Sequence, residues 1–314
     1  MPRVDVFFGG VGATQPRYSR GLPCIFLRWM GRIFILDVGE GCQESFLNFK
    51  LGVNAPLAVL ISHAHGDHTL GLRPLLQTLS LNGRKRKITI IAPAFSRDSV
   101  LDGLAAYNYP VEYTELASEE GMINLLDVSI KYVRVPHAPF SYAYSIETPS
   151  RVKLNPEKLD SDKIRGADRK RLLEEGVVEI EGRKRFLELY VKERVPGIKV
   201  TYSGDTLPSH RLASLARGSD LLIHEATLST KDWEHNTETP HSTPREAALC
   251  ALYSKSRLLV IFHYSVRYRH VYELLEEAKR VFPRTILAER GMRIAISGRK
   301  ERVFSIIYGF EREL

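Results

Sequence analysis

Cysteine is scarce in this sequence, with three residues among 314. Cys24, Cys42 and Cys250 are widely spaced and form no C-x-x-C pair. A disulfide framework or a zinc site made of thiolates needs more cysteines, or more closely spaced ones, than this. We therefore predict neither, and we expect a reducing compartment such as the cytoplasm.

Long apolar runs are missing as well. No stretch of the sequence approaches the ~20 apolar residues that span a bilayer, and the first residues lack the apolar centre of a signal peptide. The sequence therefore predicts a cytoplasmic protein without a membrane partner.

Acidic residues are outnumbered by basic ones. The chain has 45 Lys and Arg against 37 Asp and Glu, a formal net charge of +8 and a pI near 9.3. Such an excess favours a polyanionic partner, although a merely soluble basic protein is the alternative on charge alone. With 44% hydrophobic residues, we expect one large domain over residues 1–314 that carries an inserted element.

The most informative stretch is an apolar strand pattern at residues 57–62 that leads into the spacing H-x-H-x-D-H. The four side chains are His63, His65, Asp67 and His68. Imidazole and carboxylate are ligands that Zn²⁺ prefers, and the ends of strands are where α/β folds place their sites. A lone histidine is more often a core or surface residue, but four such side chains within six residues predict a metal site.

Three further metal-type residues stand at the ends of later apolar runs. His137 follows a predicted strand at 129–135, Asp205 follows one at 198–201, and His263 follows one at 258–261. The repetition of this placement predicts that all three join the site formed by the first run.

In this order, the seven residues resemble the metallo-β-lactamase superfamily. The resemblance implies an α+β fold, the αββα four-layer sandwich, and two Zn²⁺ per chain, with Mn²⁺ or Fe²⁺ as open alternatives. It implies one ion held by His63, His65, His137 and Asp205, and a second held by Asp67, His68, Asp205 and His263. It also implies that Asp37 supports the metal ligands through hydrogen bonds, with an ordinary turn residue as the alternative.

Further motifs narrow the resemblance. His224-Glu-Ala-Thr227, His241-Ser-Thr243 and His263-x-Ser265-x-Arg267-Tyr268 resemble the ribonuclease Z family. This resemblance implies a zinc-dependent endoribonuclease that cleaves the 3′ trailer from tRNA precursors and leaves a 3′-hydroxyl on the tRNA.

Catalytic roles follow from the same resemblance. His241 would donate a proton to the leaving 3′ oxygen, Glu225 would orient His241 and keep it protonated, and Asp67 would accept the proton of the attacking water. Arg267 and Ser265 would contact the phosphate, because the guanidinium fork matches its oxygens. An ordinary salt bridge is the alternative for Arg267. Three other histidines, His210, His235 and His270, match no position of the family.

A charged segment at about 150–195 interrupts the apolar pattern between two metal-type residues. The resemblance implies that it is a protruding basic arm that grips precursor tRNA, in a homodimer whose arms serve the neighbouring subunit. The candidate tRNA contacts are Lys163, Arg165, Arg169, Lys170 and Arg171. Acidic residues are interleaved with these, so a solvated helical hairpin is the alternative. The family's Gly-Pro at the arm tip is Gly166-Ala167 here, and its P-x-K-x-R-N loop is Pro16-Arg-Tyr-Ser-Arg20-Gly21.

Two other functions compete with this interpretation. A small-molecule phosphodiesterase, or another hydrolase of the same fold, would share the metal ligands but would not need a basic arm. An RNA-binding subunit without catalysis would need neither the ligands nor the pair of Glu225 and His241.

Apolar spacing also predicts individual helices. The leucines of residues 69–81 predict one continuous helix directly after the metal run, and residues 95–107 predict another. Between residues 146 and 198 the pattern gives no sign of a core. The remaining strands and helices are expected to alternate through the second half of the chain.

Overall fold

The computed structural model describes residues 3–17, 19–94, 107–138, 140–234, 240–298 and 301–310. It divides the chain into two compact units, one formed by Met1–Thr148 with most of the chain after Ile198, and one formed mainly by Pro149–Gly197. The predicted helix at 95–107 lies almost entirely outside the described residues. Among the residues that are described, no helix has the length and apolar character needed to cross a membrane.

Two sheets form the first unit. The eight-stranded sheet has the order β19-β18-β1-β2-β3-β4-β5-β6. Its strands are β1 Arg3–Gly10, β2 Cys24–Trp29, β3 Arg32–Leu36, β4 Leu57–Leu60, β5 Ile88–Pro93, β6 Val111–Leu116, β18 Arg293–Gly298 and β19 Arg302–Ile307. The seven-stranded sheet has the order β17-β16-β15-β14-β9-β8-β7. Its strands are β7 Glu120–Leu125, β8 Val128–Val135, β9 Ser141–Glu147, β14 Lys199–Tyr202, β15 Leu221–Glu225, β16 Leu258–Phe262 and β17 Thr285–Leu287.

The two sheets pack face to face, and helices cover their outer faces. Along β1, Val6 and Phe8 enter the core shared by both sheets, whereas Phe7 points to a second core beneath the helices of the first sheet. Successive side chains of a strand point to opposite faces, so strands buried on both faces read as continuous apolar runs. The predicted αββα sandwich is confirmed.

Short helices connect many of the strands. The helices of the first unit are α1 Cys42–Asn48, α2 Gly66–Thr69, α3 Leu72–Leu81, α6 His210–Leu215, α7 Thr230–Glu234, α8 Pro244–Tyr253 and α9 Tyr272–Lys279. A capping box at Thr243 and Glu246 begins α8, and it satisfies backbone N–H groups that the first helical turn leaves unpaired.

The predicted helix at 69–81 is wrong in one respect, because it is broken between α2 and α3. At the break, a Cβ on Gly71 would lie 1.9 Å from the carbonyl oxygen of Gly39. The Gly71 N–H donates to the Val38 carbonyl at 2.9 Å. This close backbone approach turns the chain out of the helix, and periodicity alone could not reveal it.

No disulfide framework was predicted, but one disulfide is present. Cys24 at the start of β2 and Cys42 at the start of α1 form a disulfide. Their Cα atoms lie 5.8 Å apart, within the usual range for a bridge. The pairing depends on how α1 packs on the sheet, which sequence spacing does not reveal.

The second unit has its own small core, although the sequence pattern suggested none. It contains β10 Arg151–Leu154 paired with β13 Val191–Val195, β11 Val177–Ile180 paired with β12 Arg183–Phe186, and the helices α4 Pro156–Ser161 and α5 Gly166–Glu175. Its buried side chains are Leu154, Leu159, Ile164, Leu172, Val178 and Tyr190. These residues are spread thinly over short elements, so no periodic apolar stripe appears in the sequence.

Gly71→Ala tests the contact between the backbones of Gly71 and Gly39. Because the added methyl group would meet backbone atoms, we expect the free energy of unfolding to fall by about 3 kcal/mol, near the upper end for overpacking. Denaturant unfolding measures this change. Gln77→Ala, on the exposed side of α3, is the control and should change stability by less than about 0.5 kcal/mol. Equal stability of the two variants would contradict the close approach.

Candidate metal centre

The ends of parallel strands bring the candidate ligands to one edge of the sandwich. The strands β3, β4, β5 and β6 are parallel to one another, as are β14, β15, β16 and β17. The run from His63 to His68 follows β4, and Asp205 and His263 follow β14 and β16. His137 follows β8, which runs in the same direction as β14 because both are antiparallel to β9.

All seven predicted metal residues meet there. Ligand-type atoms of His63, His65, His137 and Asp205 lie within 4.8 Å of one another, as do those of Asp67, His68 and His263. Asp205 Oδ2 lies between the groups, 3.7 Å from His63 Nε2 and 3.4 Å from both His68 Nε2 and His263 Nε2. Ligand atoms about 2.0–2.1 Å from a tetrahedral ion are about 3.3 Å apart. The spacing is therefore compatible with metal binding, and Asp205 lies close to residues of both groups.

Two buried atoms of the cluster make no hydrogen bond within the described part of the chain. They are Nε2 of His63 and Oδ1 of Asp205. Leaving buried polar atoms unsatisfied costs free energy, and a bound cation would remove that cost at both atoms. The chemistry of these residues therefore fits divalent metal ions.

Hydrogen bonds at the opposite ring nitrogens fix the histidine tautomers. Nδ1 of His68 lies 2.7 Å from the Asp37 carboxylate, Nδ1 of His137 lies 2.9 Å from the Pro240 carbonyl, and Nδ1 of His263 lies 2.8 Å from the Thr227 hydroxyl. In each ring Nδ1 can donate its proton, so the lone pair of Nε2 faces the cluster. In His65 it is Nδ1 that faces Nε2 of His137, at 3.3 Å.

Asp37 lies behind the ligands, as predicted. Its carboxylate accepts hydrogen bonds from the Ser62 backbone N–H at 2.6 Å, from the Ser62 hydroxyl at 2.7 Å and from the Tyr202 hydroxyl at 2.5 Å. The backbone of Asp37 has φ 56° and that of His263 has φ 62°. Left-handed backbone is unfavourable for such residues, so surrounding contacts must hold both in place.

Neighbouring charges and burial shift the pKa values of the histidines in the cluster. Burial would lower the pKa of His68, but the carboxylates of Asp205 and Asp37 outweigh burial and raise that pKa well above its usual value. Burial lowers the pKa of His63 well below its usual value, with the nearby His68 adding to the effect. His63 is therefore neutral, whereas at His68 a bound metal ion would replace a proton.

A buried pair of Glu225 and His241 lies beside the cluster. Glu225 Oε1 accepts the Thr206 N–H at 2.8 Å and lies 3.0 Å from His241 Nδ1, and Glu225 Oε2 accepts the Thr227 hydroxyl at 2.6 Å. Burial would lower the pKa of His241, but the charge and hydrogen bond of Glu225 raise it to about 9. Glu225 therefore favours the protonated form of His241 and engages its Nδ1.

The predicted phosphate contacts lie just beyond the cluster. Ser265 is half-buried and Arg267 is exposed, two and four residues after His263. The Arg20 guanidinium donates to the carbonyls of Ser265, at 3.2 Å, and Tyr268. Arg20 therefore holds the chain segment that carries both residues.

The residues predicted to contact tRNA lie in the second unit, away from the residues of the cluster in sequence. They are exposed and mostly face acidic side chains. Lys163 pairs with Glu181 at 2.7 Å. Lys170 and Arg171 lie 3.9 and 3.8 Å from acids one turn along α5.

Some residues of the site were not foreseen. Thr227 joins Glu225 to His263, and the Thr14 backbone N–H donates to Asp67 Oδ2 at 2.8 Å. Thr227 was visible as the last residue of the His224-Glu-Ala-Thr227 motif. Nothing in the spacing of Thr14 indicated its contact.

Known proteins resemble the chain over most of its length. The family model described as the metallo-beta-lactamase superfamily matches residues 23–152. Ribonuclease Z of Ignicoccus hospitalis is 34% identical, covering 94% of this chain and 99% of the relative. Ribonuclease Z of Saccharolobus solfataricus is also 34% identical, covering 91% and 97%. The crystal structure of the short form of human tRNase Z is 25% identical, covers 92% of this chain and 98% of its own, and has a TM-score of 0.64.

The fold and the cluster define a metal-dependent hydrolase of the metallo-β-lactamase superfamily. Hydrogen bonds hold His68, His137 and His263 so that their Nε2 atoms face the centre of the cluster. Within that superfamily, the chain belongs to the ribonuclease Z family.

Asp37→Asn tests the support behind the cluster. The amide has one acceptor oxygen in place of two, so the orientation of His68 should loosen and metal affinity should fall by about 10- to 100-fold. Competition with a chromogenic chelator measures the affinity. Asp5→Asn removes another buried carboxylate, one paired with Arg3, Arg28 and Arg293, and should leave metal affinity unchanged. Similar losses in both variants would indicate a general loss of stability.

Proposed function

We propose that the chain is a zinc-dependent endoribonuclease that cleaves the 3′ trailer from tRNA precursors and leaves a 3′-hydroxyl on the tRNA. The observation that carries the proposal is the buried pair of Glu225 and His241 beside a cluster fit for two metal ions. Hydrolysis with a poor leaving group, such as a ribose 3′ oxygen, needs such a proton donor. The names of the relatives, ribonuclease Z and tRNase Z, support the same substrate.

Two ions would be held by the residues described above. His63, His65, His137 and Asp205 would hold one, and Asp67, His68, Asp205 and His263 the other. Bound zinc would neutralise the phosphate oxygens and make water acidic near neutral pH. Mn²⁺ and Fe²⁺ prefer similar ligands and are alternatives.

Asp67 is the proposed proton acceptor for the attacking water. Burial would raise the pKa of Asp67, but its contacts with His263 and His68 hold that pKa well below its usual range. The Thr14 N–H fixes one carboxylate oxygen at 2.8 Å. The carboxylate is therefore ionised and held in place.

His241 is the proposed proton donor to the leaving oxygen. Nδ1 is engaged by Glu225, so Nε2–H is the proton available to substrate. Glu225 also accepts hydrogen bonds from Thr206 and Thr227, so its position does not depend on His241. A small-molecule phosphodiesterase is the second candidate, and it would use the same residues.

Cleavage of a precursor tRNA with mapped ends tests the function directly. Metal-loaded protein should release an intact trailer with a 5′ phosphate and a tRNA with a 3′-hydroxyl. Asp205→Ala should lose most bound metal and most activity, because Asp205 lies between both ligand groups. Metal analysis should approach about two ions per chain in the parent protein. A fully loaded, active Asp205→Ala protein would contradict the bridging role.

His241→Ala tests the proton donor. We expect turnover of precursor tRNA to fall by roughly 10²- to 10⁴-fold with metal content intact. A nitrophenyl diester has a leaving group that needs little protonation, so the loss on that substrate should be much smaller. His270→Ala, an exposed histidine outside the cluster, is the control. Equal losses on both substrates would count against proton donation.

We also propose that the second unit binds the body of the tRNA, in a cytoplasmic homodimer in which the unit of one subunit serves the site of the other. Its exposed basic residues support this, although nearby acids compete for several of them. Exposed pairs contribute little, so phosphates can displace the acids at low cost. Lys163, Arg165, Arg169, Lys170 and Arg171 are the proposed contacts.

Replacing Arg165, Arg169 and Lys170 by Gln tests this binding surface. Each lost phosphate contact should reduce the slope of log affinity against log salt by about 1. The KM for precursor tRNA should rise, while hydrolysis of a nitrophenyl diester stays unchanged. The paired control replaces Glu174 and Glu175 of the same helix by Gln and should not weaken binding. An unchanged salt slope in the basic variant would contradict the assignment.

A further inference from the structure

A groove of about 650 Å³ includes the candidate metal ligand His137 in its lining. Its lining includes Arg134, Phe140, Arg211 and Pro240. All of these residues belong to the first unit. The volume lies in the range of small-molecule sites, and it exceeds what a phosphate alone would fill.

A flat, charged platform lies in this groove. The guanidinium carbon of Arg134 lies 3.4 Å from the centre of the Phe140 ring. Phe140 in turn meets the ring of Tyr142 edge-on, with centroids 6.1 Å apart, and the Tyr142 hydroxyl donates to the Ser118 carbonyl at 2.7 Å. Guanidinium planes and aromatic rings are the surfaces on which unpaired bases stack. The platform is therefore suited to a nucleobase.

Glu119 holds two guanidinium groups at fixed positions. Its carboxylate accepts hydrogen bonds from Arg134 at 2.6 Å and from Arg211 at 2.5 Å. A second groove of about 580 Å³ shares His210 and Arg211 with the first. Arg211 therefore stands where the two grooves meet, the place for a phosphate that links two nucleotides. A half-exposed side chain leaves donors of Arg211 open to that phosphate.

The position of His241 decides which side of the cleaved bond enters this groove. Pro240 lines the groove and is adjacent in sequence to His241, and its carbonyl accepts the His137 Nδ1–H. If His241 protonates the leaving 3′ oxygen, the nucleotide that bears this oxygen lies on the His241 side of the cluster. The groove is lined on that side by Pro240, the residue next to His241 in the chain.

We propose that this groove binds the last nucleotide of the mature tRNA, with its base on the Arg134–Phe140 platform and the phosphate on its 5′ side at Arg211. This inference rests on the proposed function, because it needs an RNA substrate and His241 as the proton donor. It adds three binding residues, Arg134, Phe140 and Arg211, to those identified from sequence motifs.

Substrates that lack one base test the proposal. Three precursor tRNAs are compared: intact, abasic at the nucleotide before the cut, and abasic at the first trailer nucleotide. Stacking on a side chain contributes enough that removing the base before the cut should lower kcat/KM of the parent protein by roughly 10-fold or more. Phe140→Leu and Arg134→Lys should lose about as much on the intact substrate, since leucine has no ring and lysine has no plane.

The decisive comparison is between the loss of kcat/KM on base removal in the parent protein and the same loss in the platform variants. In Phe140→Leu and Arg134→Lys, removing the base before the cut should cost no more than about 2-fold, because the base has already lost its stacking partner. Arg211→Gln should instead reduce the salt dependence of binding by about one contact. The matched control is Arg32→Ala, which removes an arginine over Trp29 in the eight-stranded sheet, not the sheet of Arg134, and should leave cleavage of all three substrates unaffected.

The outcomes separate failure of the groove assignment from failure of the proposed function. Hydrolysis of a nitrophenyl diester at the parent rate shows that a variant is folded and loaded with metal. If the parent protein cleaves the intact precursor but base removal costs the platform variants as much as it costs the parent, the groove assignment is wrong. Coupling at the first trailer nucleotide would also overturn it. Failure of the parent protein to cleave any precursor would refute the proposed function itself.

Discussion

The arrangement of the candidate metal centre depends on hydrogen bonds to the buried carboxylate of Asp37. It accepts hydrogen bonds from Ser62 after β4, from His68 in α2 and from Tyr202 at the end of β14. These segments belong to both sheets, so one carboxylate fixes the edge where the sheets meet. Removing it would leave several buried donors unsatisfied at once, which is far costlier than losing a single bond.

The clustering of the candidate metal ligands could be predicted because their chemistry is local. Histidine and aspartate rarely cluster at strand ends without a shared purpose, and each of the seven follows an apolar run that the structure confirms as a strand. The break at Gly71 and the disulfide of Cys24 could not be predicted, because both depend on which backbones come close in three dimensions.

The proposed substrate-binding groove was the least predictable part. His210 matched no family motif, yet it lines the two grooves near the cluster. Phe140 and Arg134 belong to no recognisable motif in the sequence. They form a stacked pair only because the pairing of β8 with β9 brings the guanidinium over the ring. Conversely, the basic residues of α5 were conspicuous in sequence, but acids one turn away accompany two of them. Sequence patterns identify chemical groups better than they identify surfaces.

The spread of the ligands along the chain has a consequence for how the protein reaches its native state. No local fragment contains a complete ligand set, since Asp205 and His263 come from the second half and His63 to His68 from the first. Contacts between residues so distant in sequence form late and slowly, because their loops must close first. An ion held by all of them would therefore be bound only after the two sheets have assembled, so metal uptake would report the completion of folding.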